Sequence, residues 1–332
     1  MSAEEAGDWL AEGRALLKQK RFAEALALFA ELAEAQPRSP DAWWGKGKAL
    51  GYLHRHKEAL MAHWQALSLD PAHVPALNGK SDALAHLRRY AEALQAAEQA
   101  IALKLDDPEG YTNKGIAFFH IERYHEALAC YRQALVLAPD RVEALNAMGP
   151  TLRRLGRFYE ALRVLQRAVQ MDPTYSYAYS NMSLVLSSLK RYGEALDAIE
   201  RAIQLDPALP GVYNSKGVVL YLLHRSDEAL AALRYSIALD ASRPEPHANM
   251  AQIFLERGRY EEAREAAYRS IAAGQNHTTG YVLLGEALLG LERPAEALAA
   301  FESALTLKPG DGRAQNGRAN ALVQLQRGHD GW

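Results

Sequence analysis

His54, His56 and His63 lie close together in the chain, and imidazoles are the commonest zinc ligands, so metal chemistry is the first possibility to weigh. His54 also stands four residues before Glu58, but the pair straddles a turn instead of sharing one helix face. A solvated turn accounts for the three histidines, and no metal site is expected. Cys130, beside Tyr131, is the single cysteine; it excludes an internal disulfide framework and a cysteine metal cluster, and nothing near it in sequence would activate a thiolate. GxSxG, HExxH, P-loop and GxGxxG patterns are all absent. The expectation is a protein that is not an enzyme, with no catalytic residue and no cofactor.

A second pattern could do different chemistry. Arg-x-x-Glu-Ala recurs at Arg21, Arg55, Arg89, Arg123, Arg157, Arg191, Arg225, Arg259 and Arg293, always 34 residues apart, and Arg327 keeps the spacing. A file of arginines on one edge would suit a polyanion. Structural turn chemistry explains it better, because a glutamate opening a helix suits the helix dipole and can pair with an arginine three residues before it.

Composition narrows the field further. The 332 residues are 49% hydrophobic and 23% charged, with a formal net charge of -2, so no global attraction to nucleic acid or an anionic membrane is expected. The amino terminus is acidic, without the basic and apolar stretches of a signal peptide, and the longest apolar runs, such as Val218 to Leu223, are far too short to span a bilayer. A cytoplasmic protein is the simplest reading.

The 34-residue register dictates the elements. Nine units start at Ala6, Pro40, Val74, Pro108, Val142, Ser176, Pro210, Pro244 and Thr278, without insertion or deletion. Position 4 is mostly aromatic or large (Trp9, Trp43, Tyr111), position 8 always small, position 20 always alanine, and position 32 often proline (Pro37, Pro71, Pro139). Apolar or small residues at positions 4, 7, 8, 11 and 14 make one helical stripe, and those at 20, 24, 27, 28 and 30 a second, so each unit is a helix pair. No unit can bury both stripes alone, so neighbours must stack.

The length and offsets resemble the tetratricopeptide repeat signature, W-x2-L-G-x2-Y…A-x3-F…P. The resemblance implies an all-α, right-handed α-α superhelix, a solenoid of nine helix pairs over 6–311 (6–39, 40–73, 74–107, 108–141, 142–175, 176–209, 210–243, 244–277 and 278–311). Flanking it are a tail at 1–5, a solvating cap helix at 312–327 and a tail at 328–332. It also assigns the concave face to first-helix positions 2, 5, 6, 9, 12 and 13.

Those positions carry Asn78, Asn146 and Asn214 (position 5) and Asn113, Asn181 and Asn249 (position 6). An amide both donates and accepts, so a file of amides can pair with the backbone of an extended peptide; the pattern resembles the asparagine-lined repeats of O-linked N-acetylglucosamine transferase. Between them stand Phe119, Tyr177, Leu184, Val218 and Tyr221, expected to form apolar pockets. Charge is graded, with Arg14, Lys18, Lys48, Arg153 and Arg154 towards the first half and Glu245, Glu256 and Glu286 towards the last. Pro150, at position 9 of the central repeat, withholds an N–H from the carbonyl of Asn146 and makes a candidate bend in the groove. No lysine occurs at position 2 or 5, so a clamp for chaperone tails is not expected.

The function these features imply is a scaffold that binds a protein or extended peptide chiefly in repeats three to eight, without nucleic acid or membrane. Two other readings stand beside it: a substrate-recruiting arm of an enzyme, such as a glycosyltransferase, whose catalytic domain is absent or separate, and a self-assembling scaffold that forms homo-oligomers.

Overall fold

A computed structural model describes residues 3–208 and 210–329. Nineteen α-helices and no strand occur among them: α1 (Ala3–Lys18), α2 (Phe22–Ala35), α3 (Pro40–Tyr52), α4 (His56–Leu69), α5 (Val74–His86), α6 (Tyr90–Leu103), α7 (Pro108–His120), α8 (Tyr124–Leu137), α9 (Val142–Arg154) and α10 (Phe158–Met171), then α11 (Ser176–Ser188), α12 (Tyr192–Leu205), α13 (Pro210–Leu222), α14 (Ser226–Leu239), α15 (Pro244–Glu256), α16 (Tyr260–Ala273), α17 (Thr278–Gly290), α18 (Pro294–Leu307) and α19 (Gly312–His329). They are the nine expected helix pairs and a capping helix. The first helix begins inside the stretch expected as a tail, α19 runs two residues past the expected cap, and 330–332 lie outside the described residues.

The chain divides into two compact units, Met1–Pro173 and Thr174–Trp332. The first holds repeats one to five and the second repeats six to nine with α19. Within each unit successive first helices touch (α3 with α5, α5 with α7, α13 with α15, α15 with α17), whereas successive second helices do not. The first helices therefore line the inner side of each unit's curve.

Local chemistry sets the helix ends. Pro40, Pro108 and Pro244 stand in the first helical turn, where a missing N–H costs nothing, and Ser39 and Asp107 accept hydrogen bonds from the first-turn N–H groups of Ala42 and Gly110. At the other end Lys20, His54, Arg88, Glu122, Lys190, His224, Glu292, Gly156 and Gly258 all adopt φ between 58° and 73°. In each case the next residue, always the repeat arginine, donates its N–H back to the carbonyl five residues earlier, as in Arg157 to Leu152 at 2.9 Å. This left-handed turn reverses the chain within three residues. Only two of the nine turns use glycine there.

Alanine at position 20 is buried in every repeat, which lets the paired helices approach closely. The side chain at position 24 is the knob between neighbours. Phe29 seats its ring against Gly13 and Gly45, where a Cβ would come within 2.5 Å and 2.2 Å of it, and Phe301 does the same against Gly285 and Gly317. His63 fills the equivalent place between Gly47 and Gly79. This corrects the expectation for the histidine cluster: His63 is 2% exposed in the helix core, His56 opens α4 half-buried, and only His54 lies exposed in the turn. Burial, reinforced by Lys48, depresses the His63 imidazole to about 3, so it is neutral, and its Nδ1 has no partner.

Pro150 does not interrupt α9, which runs through it to Arg154. Thr151 Oγ1 bonds back to the carbonyl of Ala147 (2.9 Å), and the helix closes normally with Leu155 N–H on Thr151 O (3.2 Å). The division between the two units falls at Pro173, in the connection after α10.

Candidate binding face

The inner faces carry the amides that the sequence singles out, and most of those with defined partners are turned towards neighbouring repeats. Asn78 is 2% exposed; its Nδ2 donates to Asp107 Oδ2 at 2.6 Å, and that carboxylate also caps α7 through Gly110 N–H at 3.0 Å. Asn113, also buried, donates from Nδ2 to the Asn78 main-chain carbonyl at 3.2 Å. In the second unit Asn249 Nδ2 donates to Asn214 Oδ1 at 2.9 Å. These are staples between successive first helices. Asn146 and Asn181 are half-buried on α9 and α11.

Charge on the inner face is also largely spent internally, which corrects the expected gradient. Arg14 pairs with Asp41 at 2.7 Å, and Lys48 reaches past α5 to Glu109 at 2.8 Å. His73, whose Nε2 lies 3.7 Å from Asp41 Oδ1, and then Arg14 hold the Asp41 carboxyl below the usual range. Burial disfavours the Lys48 charge, but Glu109 overrides it and keeps the ammonium well above its ordinary value. In the second unit Glu286 takes both Nε and Nη2 of Arg313, Arg313 Nη2 also meets Gln252 Oε1 (2.8 Å), and Gln252 Nε2 meets Glu256 (3.1 Å). Tyr221 O–H donates to the same Glu256, and burial together with that carboxylate pushes the phenol up to about 12. A polar chain thus links α13, α15, α17 and α19. Sequence reading gave Tyr221 a pocket role and missed this network, because its members come from four repeats.

Arg153 and Arg154 differ from these. Neither guanidinium has an acidic partner or a hydrogen bond among the described residues, and Arg153 is half-buried. Burial, then Arg154, lowers the Arg153 value. Asn146, Pro150 and Arg153 share one face of α9, at helical spacing. On the adjacent α7, Phe119 is half-buried, edge-on to His120 (5.3 Å) and tilted against Tyr124 (5.6 Å). In the second unit Tyr177 is 44% exposed beside Tyr175, while Leu184 and Val218 are half-buried on α11 and α13.

The edge formed by the turns is structural. In all nine repeats the arginine Nε and Nη2 both donate to the glutamate three residues on, as in Arg55 to Glu58 at 2.7 Å and 2.6 Å. Beside them runs a file of ring stacks between position 17 of one repeat and position 13 of the next: Phe22 on Tyr52 (4.5 Å), His56 on His86 (4.1 Å) and Tyr90 on His120 (4.5 Å). Cys130 is buried, and burial raises its thiol. Among the described residues no group of three His, Cys, Asp or Glu side chains could hold a metal ion, and no helix is long and apolar enough to cross a membrane.

Curved stacks of helix pairs with a lined inner face define a class of protein-interaction scaffold. Family models described as tetratricopeptide repeat match residues 10–66, 108–141, 146–210, 214–277 and 282–328, and the chain belongs to that family. Among solved structures it is similar to a chain of the APC/C hetero-tetramer Cut9-Hcn1, with a TM-score of 0.75 at 15% identity over 90% of this chain; it spans 59% of that chain. It is also similar to TTC0263, a thermophilic TPR protein of Thermus thermophilus (TM-score 0.51, 25% identity, 55% of this chain and 100% of that one). A third likeness is to Pseudomonas aeruginosa pilF (TM-score 0.54, 20% identity, 64% and 97%). No curated protein matches the sequence significantly.

Proposed function

We propose that this protein is a non-enzymatic adaptor, and that the first helices of its units hold an extended segment of a protein partner. The observation that carries this reading is a partly exposed set of apolar and aromatic side chains beside polar groups that largely pair with one another: Tyr177, Leu184 and Val218 in the second unit and Phe119 in the first. Such side chains gain about 25 cal/mol for each Å² removed from water, and a partner's side chains would supply that cover. The slight negative charge favours a protein partner over nucleic acid. Because Asn78, Asn113, Asn214 and Asn249 already bond to neighbouring repeats, peptide recognition rests chiefly on the apolar side chains.

The test uses dodecapeptides selected from a random display library against the full chain. Replacing Leu184 and Val218 together with serine should weaken the selected peptides at least tenfold while the chain unfolds near its original temperature. Affinity unchanged by that pair, or a library that yields no binder, overturns the reading.

A further inference from the structure

The last turn of α9 holds two cations that the fold itself does not neutralise. At the position of Arg153 five of the other eight repeats carry a large apolar or aromatic residue (Leu17, Phe119, Tyr221, Leu255 and Leu289) and three a small one (Gly51, Ala85 and Ser187), so only here does a charged group stand. The inner-face cations Arg14 and Lys48 of the same unit each have a carboxylate within 2.8 Å. Arg153 has none, although it is half-buried and its sequence neighbour is a second arginine. A cation near a helix C-terminus offsets the dipole, but an exposed lysine would do that equally well. Half-burying a guanidinium next to another, without an anion, raises the energy of the free protein; an incoming carboxylate would relieve it.

The neighbours define what accompanies that carboxylate. Pro150 lies one turn before Arg153 on the same face of α9, and its ring presents an apolar surface without a donor. Phe119 occupies the equivalent position on α7, which touches α9. A guanidinium, a proline ring and an aromatic ring on adjoining helices suit an acidic side chain flanked by an apolar one.

We infer that Arg153 and Arg154 form an anion subsite in the first unit, which takes an aspartate or glutamate of a bound peptide with its apolar neighbour against Phe119 and Pro150. This rests on the peptide-binding reading above and assigns it a ligand chemistry.

The experiment selects dodecapeptides from one random display library against the full-length wild type and against Arg153→Ala/Arg154→Ala. Wild type should enrich peptides with an acidic residue at a fixed offset from an apolar one, and the double variant should lose the acidic enrichment but keep the apolar. For one enriched peptide, replacing its glutamate by glutamine should weaken wild-type binding at least tenfold and leave binding to the double variant unchanged; Arg153→Lys should restore part of the loss. Equal acidic enrichment with both proteins, or a glutamine peptide that binds wild type undiminished, overturns the subsite while the peptide-binding reading stands. A library that yields no binder overturns both. Concentration-dependent self-association that disappears in Arg153→Ala/Arg154→Ala would make a second copy of the chain the occupant and also overturn the proposal. Matching thermal unfolding of wild type and variant assigns the differences to binding.

Discussion

Asn78 Nδ2 and Asp107 Oδ2 stand 29 residues apart in the chain and 2.6 Å apart in space, both buried. The same carboxylate caps α7, so one amide anchors the start of the next repeat. Asn78→Ala should lower stability by about 2 kcal/mol, because a buried carboxylate then loses one of its donors. Urea unfolding measures this; an unchanged midpoint would show that water replaces the amide.

His63 makes the fold sensitive to acid. Its folded value, about 3, lies below the ordinary 6.5, so the unfolded chain binds the proton more readily. Its contribution is therefore complete above pH 6.5 and is lost as the pH falls towards 3, with a slope of at most about 1.4 kcal/mol per pH unit. Lys48, Glu109 and His73 are the charged or titratable groups acting on it. Phenylalanine occupies the same place in Phe29 and Phe301, between equivalent glycines, so His63→Phe should fold and flatten the profile. Urea midpoints at pH 7 and pH 5 compare the two proteins, and parallel shifts would contradict the assignment.

Glu122 holds φ at 64°, a conformation that costs a side-chain-bearing residue roughly 1 kcal/mol. Glu122→Gly should accordingly stabilise the chain by up to about 1 kcal/mol, and Gly156→Ala, at φ 73°, should destabilise it by a similar amount. Opposite displacements of the unfolding midpoint are expected; the same sign for both would refute the strain argument.

Pro150→Ala should raise stability by roughly 1–3 kcal/mol, since alanine supplies the N–H that proline withholds from the Asn146 carbonyl within a helix already continuous on both sides. If Pro150 also forms part of the peptide surface, affinity for the selected dodecapeptides falls in the same variant. Calorimetric unfolding and peptide titration read the two effects separately.

Position 24 shows how far sequence reasoning reached. The 34-residue register places His63 with Phe29 and Phe301, although in the chain it stands close to His54 and His56 at the turn. The glycines that enclose it, Gly47 and Gly79, come from different repeats, so the burial is legible only by comparing equivalent positions of adjacent units. The left-handed turn was hidden for another reason: glycine, its usual marker, stands there in Gly156 and Gly258 alone, and the other seven turns impose the same φ on larger residues.

The helix pairs, their register, the alanine at the closest approach and the Arg–Glu turn chemistry were determined by the sequence alone, because each depends on residues within one repeat. The family resemblance assigned the asparagines and the charges to the inner face. Whether those groups face a ligand or one another was decided by tertiary structure: Lys48 meets Glu109 across 61 residues, Asn249 meets Asn214 across 35, and Arg153 meets no carboxylate among the described residues. Periodicity fixes the direction of a side chain from its own helix, but pairing requires the partner's direction and distance, and stacking of the neighbouring repeats sets both.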